Sequence, residues 1–169
     1  MAALTGTGKA LADEVPSLAE WAGGLPAIEA LTACFYDKVG RDPILAPIFQ
    51  NKNANHAAHV AKFIAEVFGG GAHYTEAGGS HAGMISHHLA RHLTEAQRRR
   101  WLALILDAAD EVGLPQDPEF RSALLGYLEW GTRLAVINSQ LPKQDASEPQ
   151  ADLPMPRWDW GPPGGPYRA

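Results

Sequence analysis

The chain has 169 residues, 46% of them apolar and 20% charged, which are proportions of a globular protein able to bury one core. A formal net charge of -5 argues against broad binding to nucleic acid or anionic membranes, and the lone Cys34 excludes an internal disulfide or thiolate cluster. No apolar run reaches the roughly 18 residues of a membrane span and no secretory signal pattern is visible, so a cytoplasmic location is expected.

Residues 1–16, small and ending at Pro16, read as a loose or partly helical leader. Ser17 is placed to cap a short helix with Leu18 and Trp21, stopped by Gly23 and Gly24. Pro26 suits the first turn of the next helix, which carries the apolar stripe Ile28, Leu31, Phe35, Val39 and is expected to end at Gly40. Tyr36 flanks that stripe. Asp42-Pro43 restarts a short helical piece toward Phe49, and a polar loop leads to a helix from about Asn55 to Phe68. His56 shares a face of this helix with Val60, Phe63 and Val67.

Gly69 to Gly71 end that helix, and the stretch from Ala72 to Gly83 has no apolar period, so a loop is expected, followed by a short helix near Met84–Arg91. Thr94 and Gln97 form a capping box opening a helix to Val112, with Trp101 on the face of Leu104, Ile105 and Ala108. The run Arg98-Arg99-Arg100 reads as its solvated face. Asp117-Pro118 starts a last helix to about Ser139. Beyond Pro142, prolines, glycines and scattered charges describe a mobile tail, although Trp158, Trp160 and Tyr167 are candidates for docking on the body or on a partner. No strand or repeat is visible. The reading is all-α, with a leader (1–16), one domain (17–140) and a tail (141–169).

Tyr36, His56 and Trp101 each bring a hydrogen-bonding group to an apolar face. A histidine-rich stretch with His81, His87, His88 and His92 lies between the helix that carries His56 and the one that carries Trp101. An apolar pocket with a few donors and an imidazole is what a buried metal cofactor requires. From the residues alone, His87 competes with His88 as the ligand, and His88 with His92 one turn on could share a zinc ion.

Several features in order resemble the group II truncated hemoglobins. They are Gly23-Gly24, Phe35-Tyr36, Asp42-Pro43 leading to Phe49, the glycines 69–71, His88, Trp101 thirteen residues later, and Tyr127-Leu128-Glu129. The similarity covers about residues 17–140. It implies a two-over-two helical sandwich around haem b (iron protoporphyrin IX), with His88 as the metal ligand. Tyr36, Phe49, His56 and Trp101 would surround the other face, Val60, Phe63 and Ile64 would wall the pocket, and His87 would lie at the cofactor's edge. The family's usual arginine before the proximal histidine is His87 here, and an aromatic position three residues after that ligand is Arg91. The resemblance also implies that ferrous iron binds dioxygen and other diatomic ligands, with Tyr36, His56 and Trp101 donating hydrogen bonds. Nitric oxide dioxygenation or peroxidase-like turnover would need a separate reductase, since no flavin or nicotinamide motif is present. A monomer or homodimer is expected. A different class, a haem-based ligand sensor or helical interaction module using the aromatic tail, is the alternative.

Overall fold

The computed structural model describes residues 14–145 and 152–167. The leader reading for residues 1–13 therefore lies outside the described residues. Among those described, every regular element is helical: α1 (Leu18–Ala22), α2 (Leu25–Arg41), a 3-10 turn (Ala46–Ile48), α3 (His56–Val67), α4 (His73–Glu76), α5 (His81–Ser86), α6 (Glu95–Glu111) and α7 (Pro118–Ser139). None is long and apolar enough to cross a membrane.

Helix starts follow local chemistry. The Ser17 hydroxyl accepts from the Glu20 N–H at 3.1 Å while the Glu20 carboxylate accepts from the Ser17 N–H at 2.7 Å, so two otherwise orphaned amides are satisfied. Thr94 and Gln97 repeat the arrangement on α6, and Asp117 accepts from the Phe120 N–H to open α7.

The end of α2 differs from expectation, because Gly40 stays helical and the helix runs on to Arg41. What reverses the chain is Asp42, whose buried carboxylate accepts from the Ile44 and Leu45 N–H groups at 3.0 Å each and from Arg100 Nε at 2.6 Å. Burial alone would raise its pKa, but these hydrogen bonds outweigh it and hold the group below the usual carboxylate range. This knot turns the chain into the 3-10 turn, which delivers Phe49 to the site.

The layers are built on α2, which packs against both α3 and α6, with α6 against α7. Ile28, Leu31, Phe35 and Val39 are each only 1% exposed. Ala61 and Ala65 of α3 and Ala108 and Ala109 of α6 are fully enclosed, small side chains that let neighbouring backbones approach. The result is a two-over-two helical sandwich.

Three local expectations are corrected by contacts distant in sequence. Residues 72–83, expected as a loop, contain α4 and the start of α5. Glu66, back on α3, organises α4 by accepting from the N–H groups of Tyr74 and Thr75 at 3.0 and 2.9 Å. Tyr74 is buried beneath Gly79, where any Cβ would stand 2.5 Å from the ring. The short helix expected over 84–91 instead begins at His81, capped by Ser80, and ends at Ser86. The arginine run is not a uniform solvated face. Arg98 is buried and paired with Glu95 at 2.6 Å and Glu129 at 3.2 Å, while Arg100 joins the Asp42 knot.

Residues 152–167, expected from composition to be mobile, rest on the body through two indoles, whereas Tyr167, the third docking candidate, stays exposed. The Trp158 N–H donates to the Val67 carbonyl at 2.9 Å, and its ring packs on Tyr127 and Trp130. Trp160 Nε1 donates to the Pro16 carbonyl at 2.8 Å, with its ring edge-on to Trp21 and Phe120. Large aromatic surfaces of this kind hold a segment without regular structure.

Replacing Asp42 by alanine should cost about 2 kcal/mol, because two turn amides and Arg100 lose their acceptor together. A denaturation midpoint indistinguishable from wild type would show that the knot is not needed.

Candidate functional site

Between the layers lies a cavity of about 430 Å³, within the usual range for small-molecule sites. Tyr36, Phe49, His56, Val60, Phe63, Ile64, His87, His88 and Trp101, the candidates from sequence, all line it. They arrive from α2, the turn before α3, α3 itself, the segment after α5, and α6.

Tyr36, His56 and Trp101 form one contiguous group. The Tyr36 hydroxyl and His56 Nε2 share a hydrogen bond at 3.0 Å. The buried Phe35 ring touches Tyr36 and Trp101 edge-on, with centroids 4.9 Å away in each case. Phe49 packs on Tyr36 at 5.6 Å. The Trp101 indole N–H has no hydrogen-bond partner among the described residues, and neither does the hydroxyl of Tyr127, which also lines the cavity.

His56 is held neutral. Burial lowers its pKa first, and the positive charges of Lys52, His59, His87 and Arg91 add to this, bringing it to about 4. A neutral ring has two tautomers with different consequences. With hydrogen on Nδ1, Nε2 accepts the phenolic hydrogen. With hydrogen on Nε2, histidine donates to the phenol oxygen and frees that phenolic hydrogen for a third group. Burial also drives the Tyr36 phenol far above its ordinary pKa, so it remains a donor.

His88 has a different setting. Its Nδ1 donates to the Met84 carbonyl at 2.9 Å, which fixes the ring and leaves Nε2 as an uncommitted lone-pair nitrogen. Burial lowers its pKa, partly offset by that bond, so the imidazole is in the metal-binding form. His87 is exposed and lines the same cavity. His92 is exposed, adopts a left-handed backbone with φ of 51°, and is not among the lining residues. No group of three or more potential metal-binding side chains occurs among the described residues.

Sequence reasoning missed the basic side of the cavity. Lys52, His59 and Arg91 line it, and neither Lys52 nor Arg91 has an acidic partner among the described residues. Burial and the charge of Arg91 lower the pKa of Lys52. The available signal was weak: residues 48–56 contain no acid to pair with Lys52, and Glu95, four residues after Arg91, is engaged with Arg98 and Arg99. Tyr127 was visible in sequence only as part of a motif on the last helix.

An apolar cleft with an oriented neutral imidazole, unpartnered donors and unpaired cations fits a planar dianionic cofactor carrying a metal. The fold and site define the class of a haem-binding helical protein of the globin type. The sequence model of the bacterial-like globin family matches residues 17–130. The group 2 truncated hemoglobin YjbI of Bacillus subtilis is 33% identical over 117 residues, covering 69% of this chain and 86% of that protein. Among solved structures, the group II truncated hemoglobin of Bacillus anthracis matches with a TM-score of 0.65 at 26% identity, over 79% of this chain and 98% of its own. The truncated oxygen-avid haemoglobin of Bacillus subtilis matches with a TM-score of 0.63 at 31% identity, over 72% and 99%. The chain belongs to the bacterial-like globin family, in its group II truncated hemoglobin branch, and its cofactor is haem b.

The low pKa of His56 has a measurable consequence. Between about 4 in the folded chain and about 6.5 in the unfolded chain, the unfolded state binds the extra proton, so acidification over this window favours unfolding. The thermal midpoint of haem-free protein should fall from pH 6.5 toward 4, and His56→Gln should flatten part of that slope. An unchanged slope in the variant would show that His56 is not the titrating group.

Proposed function

We propose that this globin binds dioxygen and other diatomic ligands at haem iron held by His88, and that it uses them in redox chemistry fed by a separate reductase. The observation that carries this reading is the pairing of an oriented His88, with Nε2 uncommitted, and an unpartnered Trp101 indole in the same cavity. The relative from Bacillus subtilis described as oxygen-avid supports it by likeness.

Haem supplies a ferrous iron that takes diatomic ligands and can exchange electrons with them. The chain supplies the surroundings. His88, its ring held by the Met84 carbonyl, would hold the iron through Nε2. Phe49, Val60, Phe63 and Ile64 form the apolar wall that excludes water. Lys52, His59, His87 and Arg91, which line the cavity, would meet the cofactor's carboxylates.

Trp101 would donate to a polarised ligand, and so would Tyr36 when His56 carries its hydrogen on Nε2. Each bond contributes about 1 kcal/mol, or roughly fivefold in ligand release, and its effect grows where water is excluded. Slow release favours reaction of the ligand, as in nitric oxide dioxygenation or peroxidase-like turnover, over simple transport. Electrons for repeated turnover come from a reductase, because the chain carries no flavin or nicotinamide motif. The active form is a monomer or homodimer. Trp158 and Trp160 are engaged with the body, which favours this reading over an interaction module that presents a free aromatic tail.

His88→Ala should abolish the Soret band of protein purified with added haem, whereas His92→Ala should keep it; equal losses would move the ligand elsewhere. Trp101→Phe should raise the dioxygen dissociation rate several-fold and change carbon monoxide release much less. Equal changes for both ligands in stopped-flow traces would mean that the indole acts by bulk alone.

A further inference from the structure

The segment that carries His88 is poorly anchored by its own helix. α5 has six residues, all of them only half-buried, too short to be stable as a helix by itself. Its position is fixed at both ends by other parts of the chain. On the far side, the Ala90 and His92 N–H groups donate to the carbonyls of Leu141 and Ser139 at 2.8 and 2.9 Å, tying the chain after His88 to the end of α7. On the near side, His81, the first residue of α5, donates from Nδ1 to the Pro154 carbonyl at 3.0 Å.

Pro154 belongs to the C-terminal segment, which runs onward across the body. Pro156 lines the cavity itself. Trp158 binds the Val67 carbonyl at the end of α3 and covers Tyr127, the cavity-lining phenol of α7. Gly126 lies directly under the indole: a Cβ there would touch it at 3.4 Å, so a larger side chain would displace it. Trp160 anchors the far end on Pro16, Trp21 and Phe120. The family match ends at residue 130, and the Bacillus anthracis structure is matched over 98% of its length by 79% of this chain. The segment lies beyond the part of the chain that the family model matches.

We propose that residues 152–160 act as a strap that fixes α5 to α3 and α7 and thereby sets how long the cleft retains haem. This rests on the haem-binding reading above. The strap adds no ligand to the iron. It raises the cost of opening the wall next to His88, and local opening is the step through which a buried cofactor leaves. His81 and Trp158 are positioning residues in this scheme.

The test uses full-length chains. Trp158→Ala removes the clasp, and Gly126→Leu displaces the indole while favouring the helix that carries it. Haem transfer to an excess of a haem-scavenging apoprotein, followed at the Soret band, should be at least several-fold faster in both variants. Amide hydrogen exchange over residues 81–88 in the haem-free chains should also be faster, which a loss of global stability spread evenly over the molecule would not confine to that segment. Transfer rates within twofold of wild type, or unchanged exchange at 81–88, would overturn the strap and leave haem binding intact. A wild-type chain that takes up no haem would overturn both.

Discussion

The site depends on α2 being shared between two packing partners. One side of this helix lies on α3 and another on α6, and the buried Phe35 ring sets the spacing of Tyr36 and Trp101 with ring contacts of 4.9 Å to each. A buried ring in contact on two sides cannot move without disturbing both neighbours. The hydrogen-bonding groups of the cavity are thus positioned by core packing rather than by loops. The Asp42–Arg100 knot serves the same end, because it ties the end of α2 to α6 and turns Phe49 into place.

Within that frame, burial sorts the titratable groups by role. Desolvation keeps the imidazoles of His56 and His88 neutral and the phenol of Tyr36 protonated. The cavity interior therefore holds lone pairs and hydrogen donors without net charge. Positive charge is found on Lys52 and Arg91, which also line the cavity and have no acidic partner among the described residues. Such an arrangement suits a flat apolar ring whose acidic groups sit together on one edge.

The C-terminal segment shows how aromatic content can override a composition typical of disorder. Prolines and glycines prevent regular structure there, yet two indoles find apolar surfaces on α1 and α7, while the Trp158 backbone N–H and the Trp160 indole N–H bond the carbonyls of Val67 and Pro16. Those carbonyls are part of the body's own backbone. The segment completes the body as well as resting on it, and it reaches α5, the helix just before His88.

Much of this was legible along the chain because it is encoded locally. Caps at Ser17, Thr94 and Asp117 and the stripes of α2, α3 and α6 depend on residues three or four positions apart, and the candidates they marked share one cavity. Local pattern failed wherever the deciding partner was remote. Glu66 makes α4 out of an apparent loop, Glu129 draws Arg98 inward, and Val67 seats Trp158. Lys52 and His59 looked like ordinary polar residues, and Arg91 like a departure from the family pattern, until folding placed them around one void. The sequence by itself determined the helices and the kinds of chemistry they carry, since hydrophobic period and capping act within a turn or two. Only the tertiary structure decided which charges meet, which amides are satisfied and where the tail rests, since those depend on distances between residues far apart along the chain.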